Sequence, residues 1–294
     1  MSLSENNRGK LRRVATYVRE RKWEIVLISE VTADQEGVIW LGEARDLIAV
    51  VHSKKAAIML SGEAVQEWTN SGQKKWFTDR TVAVEFGNMR MVAVYQPQSA
   101  HNNNLEIMDA YRAEVEQQIG RSTPRETLII GDDHNAHVGR GDERPGVKGK
   151  YGLRRSNEAG EELVSWCEAN GLALVCSFYP DKRRGTWFHP RLRQWYEIDG
   201  FIMKQTERHK LVMKTRTVHE ASFSDHKPKL MRLKTDQRKW RQCGGKKTVP
   251  ALKHEVLKDP NTARRYMRKD RKRDEKNEGC WPPERRLYQL GYSN

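Results

Sequence analysis

Apolar residues recur along this chain with two different periods. Leu11, Val14, Ala15 and Val18 return every three or four positions with Arg and Lys between them, which predicts an amphipathic helix over roughly 8–21. The runs 23-WEIVLISE-30, 46-DLIAVVHS-53 and 56-AAIML-60 are short, β-branched and almost continuously apolar, the pattern of strands buried on both faces. Two further runs, 80-RTVAVEF-86 and 89-MRMVAVYQP-97, flank Gly87-Asn88, a two-residue hairpin signal. Leu105, Met108, Tyr111, Val115 and Ile119 predict a helix over 104–119, and 127-TLIIGD-132 predicts another buried strand. A polar, Gly-rich loop follows over 139–156. Asn157 is placed to cap a helix running to about 169, with Asn170-Gly171 as its stop. Strands are then expected at 172–178, 197–203, 210–218 and 229–234. Strands dominate, with three helices interleaved and no internal repeat. That pattern predicts a large mixed sheet system covered by helices, α/β or α+β, packed in layers.

Charge changes the picture at one end. The chain has 294 residues and a net charge of +15, and residues 237–294 alone hold 17 Lys/Arg against 7 Asp/Glu. Periodicity dissolves from about 236. The stretch 264-RRYMRKDRKRDEKNEG-279 reads as a solvated or disordered tail, with nucleic-acid binding as the other reading. The expected division is therefore a domain over 8–235 and a basic, partly disordered or helical tail over 236–294. Cys167, Cys176, Cys243 and Cys280 show no metal-binding spacing and read as free thiols of a reducing compartment. No apolar leader and no membrane-length run is present, so an intracellular protein is expected, without membrane partners.

The candidate chemistry lies at strand ends. Glu30 closes one apolar run; Tyr95 lies near the end of another; Asp132, Asp133 and Asn135 follow 128-LIIG-131. Asp199 lies within 197-EIDGFIM-203, and Ser224, Asp225 and His226 immediately precede a strand. Taken alone, a strand-ending acid is more often a solvated turn residue and a lone histidine more often structural. Together, carboxylates at the same end of several strands can converge, as ligand sites in layered α/β folds do. Oxygen donors suit Mg²⁺ or Mn²⁺, and Asp199 could orient the His226 imidazole.

The blocks 24-EIVLISE-30, 92-VAVYQP-97, 129-IIGDDHNAHVG-139, 152-GLRRSNEAGEELVSWCEANGLALVCSFY-179, 186-TWFHP-190, 197-EIDGFI-202 and 224-SDHKP-228 resemble the endonuclease/exonuclease/phosphatase superfamily, in that family's order. They are most similar to the endonuclease domains of non-LTR retrotransposons and to craniofacial development protein 2-like sequences. The resemblance implies a layered α/β sandwich of two packed mixed β-sheets flanked by helices. It implies Glu30 and Asp225 as metal residues, and Asp133, Asn135, Tyr95, His226 and Asp199 as catalytic residues, with Asp199 holding His226. The implied cofactor is Mg²⁺, or Mn²⁺ in its place. The implied reaction is nicking of DNA, with RNA as the other candidate substrate, by a nuclear protein that uses no small-molecule cofactor.

Three positions depart from the family pattern. The family opens with a strand ending in Trp-Asn, whereas this chain opens MSLSENNRGK, with Asn6 and Asn7 but no apolar run before them. The expected sheet therefore lacks its first strand and exposes two ladder edges. His134 stands where an aromatic is usual, and Gly200 where Tyr is usual, which should cost packing. Two alternatives follow: a truncated, inactive remnant that binds nucleic acid only through its basic tail, or a phosphatase of the same fold.

Overall fold

The computed structural model describes residues 1–3, 9–43, 46–97, 105–123, 126–221, 224–234 and 284–290. Two sheets form its centre. The first has seven strands, in the order β13 (Val212–Thr217), β14 (Lys229–Lys234), β15 (Glu284–Leu290), β1 (Ile25–Ser29), β4 (Ala56–Leu60), β3 (Ile48–His52) and β2 (Gly37–Leu41). The second has six, in the order β5 (Lys74–Phe77), β6 (Thr81–Phe86), β7 (Met89–Tyr95), β8 (Thr127–Asp133), β12 (Asp199–Lys204) and β9 (Leu172–Leu174). A separate hairpin pairs β10 (Trp187–His189) with β11 (Gln194–Tyr196). The helices are α1 (Gly9–Arg21), α2 (Gly62–Asn70), α3 (Leu105–Gly120), α4 (Glu158–Ala169) and α5 (Gln205–Leu211). No helix among the described residues is long and apolar enough to cross a membrane.

Strand alternation divides the core into layers. Ile25 and Leu27 of β1 meet Met91 and Ala93 of β7, Ile129 of β8 and Phe201 of β12 between the sheets. Val26 and Ile28 point the other way, onto Leu11, Val14 and Val18 of α1. On the far side of the second sheet, Val92, Val94, Leu128, Ile130 and Ile202 pack with Tyr111, Val115 and Val164. The runs read as doubly buried strands are so because both faces are covered: β1, β3 and β4 are buried at every position.

Several elements escaped the sequence pattern. β2 and β5 are sheet edges with no fully buried face, so their apolar residues do not alternate cleanly. The seven-residue α5 buries nothing and takes residues expected to begin a strand. The strand expected over 172–178 stops at Leu174 because Ser177 Oγ donates to Leu174 O at 2.6 Å and turns the chain into a 3₁₀ turn over Val175–Phe178. The Asn157 cap is present: its side chain accepts from Gly160 N at 2.9 Å.

The largest departure concerns the expected gap beside β1. Glu284–Leu290, expected as part of a basic tail, is a strand in the middle of the first sheet, parallel to β1 and antiparallel to β14. Both ladder edges that a missing strand would expose are therefore paired. Residues 235–283, 291–294 and the Asn6–Asn7 pair lie outside the described residues.

The two sheets pack closely at Gly131. A β-carbon there would meet Leu27 Cδ1 at 2.4 Å and Leu27 Cβ at 2.8 Å. Gly131→Val forces the sheets apart two residues before Asp133. It should lower stability by about 1–3 kcal/mol, the usual range for an overpacked core, read from urea unfolding.

Candidate active site

Register along β8 assembles the first row. Asp133 pairs with Tyr95 on the parallel neighbour β7 and with Asp199 on the antiparallel neighbour β12. Alternation then directs them: Asp133 continues the face of Ile129 and Gly131 toward the first sheet, where Glu30 and His226 stand at the ends of the loops flanking β1 and β14. Tyr95 donates its hydroxyl to Glu30 Oε1 at 2.6 Å. His226 Nδ1 lies 2.9 Å from Asp199 Oδ2 and 3.2 Å from Oδ1. Asp133, Asp199 and His226 place ligand atoms all within 4.8 Å of one another, a buried group that could hold a metal ion. Asp225 is exposed but lies within electrostatic reach of both Glu30 and His226. Asn135 has φ +44°, donates its backbone N–H to Asp133 Oδ1 at 3.2 Å, and donates Nδ2–H to Gln96 O at 2.8 Å. All seven residues singled out in the sequence thus lie at one end of the two sheets.

Burial and like charge set the protonation of this cluster. Burial, reinforced by Asp199, pushes the Asp133 carboxyl well above the usual carboxylate range. Burial also raises Glu30, opposed by the Tyr95 hydrogen bond and the nearby His226 charge. Burial and the Glu30 carboxylate together push the Tyr95 phenol up. Burial alone would lower His226, but Asp199, Asp133 and Asp225 outweigh it and lift the imidazole to about 10. A site crowded with carboxylates is therefore short of positive charge beyond the one imidazolium. Glu30 Oε2 is buried with no hydrogen-bond partner among the described residues, and oxygen donors in such a setting fit a small hard cation.

The supporting residues carried little sequence signal. Ser29 Oγ donates to Val94 O at 2.8 Å and accepts from Asp133 N at 3.2 Å, binding β1 to the second sheet. Thr186 Oγ1 accepts from Ile198 N at 3.1 Å and Asp199 N at 3.3 Å, while its carbonyl accepts from Lys227 N at 2.7 Å. One threonine thus holds the backbone on both sides of the Asp199–His226 pair. Behind it, Glu197 binds Arg184 and, at 2.7 Å, Lys229 in a buried ion network. Thr186 and Ser29 lie inside the quoted blocks 186-TWFHP-190 and 24-EIVLISE-30, but neither was singled out as a site residue.

Two of the three departures, His134 and Gly200, lie side by side. Asp132 faces away from Asp133, toward α3, where it accepts from Tyr111 OH at 3.0 Å and lies 2.8 Å from His134 Nδ1. A side chain at Gly200 would bring its β-carbon to 3.2 Å from His134 Nε2. The missing Tyr therefore makes room for the His, leaving a cavity of about 30 Å³ lined by His134, Cys176 and Gly200.

No family model matches the chain. It is 28% identical over 221 residues to craniofacial development protein 2 from Bos taurus, covering 71% of this chain and 34% of that protein. The chain therefore spans about a third of the length of the curated relative it matches. Among solved structures it superposes on an AP endonuclease from Archaeoglobus fulgidus with a TM-score of 0.51 and 13% identity, covering 74% of this chain and 92% of that one. It superposes on a 3′-5′ exonuclease from Neisseria meningitidis with a TM-score of 0.50 and 13% identity, covering 75% and 93%. The chain has the endonuclease/exonuclease/phosphatase fold. In this fold the site described above lies where the strand ends of both sheets meet, and its two halves come from different sheets.

The protonation of His226 is directly measurable. Its folded value of about 10 exceeds its ordinary 6.5, so it stabilises the metal-free protein fully below about pH 6.5 and loses that contribution as pH rises toward 10. In an NMR titration of the metal-free protein the imidazole should remain protonated through neutral pH, and Asp199→Asn should move its titration back toward the ordinary value.

Proposed function

We propose that this chain hydrolyses phosphodiester bonds in DNA, as a nicking endonuclease of the retrotransposon type that uses Mg²⁺ or Mn²⁺. The observation that carries the reading is the buried Asp199–His226 pair beside Asp133, with Glu30 and Asp225 within electrostatic reach. The relatives named above are consistent with it, since both solved neighbours are named as nucleases.

In this reading Glu30 and Asp225 hold the metal, and the unpartnered Glu30 Oε2 is the atom turned to it. Once bound, the metal supplies Lewis-acid stabilisation of charge on phosphorus and on the leaving oxygen. Asp199 occupies His226 Nδ1, which fixes the ring and leaves Nε2 for the scissile phosphate. The imidazolium neutralises charge that builds up in the transition state. Asp133 has a raised proton affinity, which suits it to take the proton of an attacking water. Asn135 keeps one amide hydrogen on Gln96 O and presents the other to a phosphate oxygen. Tyr95 holds Glu30 in place through its hydroxyl.

A polymeric substrate is favoured over a small phosphate by the surface next to His226. The Trp187 ring lies 6.4 Å from the His226 ring and begins the β10–β11 hairpin. That hairpin exposes Phe188, Leu192 and Trp195 alongside Arg191 and Arg193, a surface of stacking groups and phosphate-binding cations. With a chain charge of +15, binding should weaken steeply as salt rises.

Supercoiled plasmid incubated with the protein and Mg²⁺ should be converted to the nicked form. His226→Ala and Asp133→Ala should each slow this by about 10²-fold or more, the usual range for losing an acid–base group. Nicking that survives either substitution would overturn the assignment. Release of phosphate from inositol phosphates with the plasmid left intact would move the chain to the phosphatases.

A further inference from the structure

β15 brings a polar side chain into the interior beside Ser29 of β1 and level with Lys229 of β14. Leu287 joins the layer between the sheets, and Tyr288 stacks on Trp23 with ring centroids 3.4 Å apart and planes 14° apart. Alternation returns Gln289 to the inner face, where it is fully buried. Its Nε2 donates to Ser29 Oγ at 3.3 Å. Its Oε1 is buried and has no hydrogen-bond partner among the described residues. Burying half an amide unpaired costs about 1–3 kcal/mol, and an apolar residue would avoid the cost. Its location suggests why it is tolerated. Ser29 Oγ, the atom Gln289 binds, also donates to Val94 O and accepts from the N–H of Asp133. Ser29 immediately precedes Glu30, which has φ +56°, a conformation that must be held by its surroundings.

We infer that Gln289 is a positioning residue of the phosphodiester site. Its amide fixes the Ser29 hydroxyl, and through it the backbone of Asp133 and the turn that presents Glu30. The site is then complete only when Glu284–Leu290 lies between β1 and β14. A segment far along the chain from the other site residues becomes a requirement for activity, although it touches no substrate. This rests on the hydrolytic reading above, and one of its readouts does not.

The test uses the full chain with Gln289→Met, which keeps the volume, removes both polar atoms and should fold. Hydrogen exchange followed by NMR should show the Asp133 amide exchanging faster than in the parent protein, while amides of Val26 and Leu27 keep their protection. In plasmid nicking kcat should fall about 10- to 100-fold with KM unchanged, as expected for a misaligned site rather than lost binding. Ser29→Ala should give the same split. Unchanged Asp133 exchange in Gln289→Met overturns the inference even if the parent protein proves to have no nuclease activity. Wild-type kcat in Gln289→Met overturns it as well. Rapid exchange of the 284–290 amides in the parent protein, against slow exchange at 25–29, would overturn the placement of the strand.

Discussion

Asp199 lies on β12 of the second sheet and His226 in the bend leading into β14 of the first, and the charged hydrogen bond between them at 2.9 Å holds the two halves of the site in register. Both are buried, so neither charge is tolerable alone; removing either partner leaves an uncompensated charge in a poorly solvated place. The pair persists because the surrounding frame fixes it twice over. Thr186 ties the strand of Asp199 to the segment of His226. Arg184, Glu197 and Lys229 form an ion network immediately behind, with Glu197 two residues before Asp199 and Lys229 three residues after His226. The buried acids that make the site costly to fold also make it attractive to positive charge.

The site residues were legible through the ordered blocks that resemble the superfamily, and one register relation of the structure explains how most of them meet. A buried strand ending in Asp133 has only two neighbours, and both present a polar residue at the paired position: Tyr95 on one side, Asp199 on the other. Glu30 stood out as an acid that ends an apolar run, and His226 as part of the block 224-SDHKP-228 immediately before a strand. What stayed hidden were residues whose roles depend on three-dimensional neighbours. Ser29 reads as the polar end of a strand, yet it carries three hydrogen bonds joining β15, β1 and the second sheet. Gly200 reads as a loss of packing until the imidazole of His134 is seen beside it.

Fold legibility followed burial in the same way. Strands covered on both faces, such as β3 and β4, were plain as apolar runs; the edges β2 and β5 and the surface helix α5 were not. β15 was missed because 284-ERRLYQL-290 has three charged residues at its start and sits beyond a long basic stretch. Composition averaged over that region conceals a short segment that meets the rule for a central strand only over its second half, where Leu287, Tyr288 and Gln289 are buried.

The place of β15 has a consequence for how the chain is made. Ser29 and Gln289 are 260 residues apart and adjacent in the folded sheet. At about 5–20 residues per second of synthesis, β1 emerges from the ribosome roughly 13–50 s before its partner exists. Until β15 is made, the edge of β1, and later that of β14, stays open in the middle of an apolar sheet, a state that invites pairing between nascent chains. A chaperone that shields this seam would have the most to do between the synthesis of β1 and that of β15.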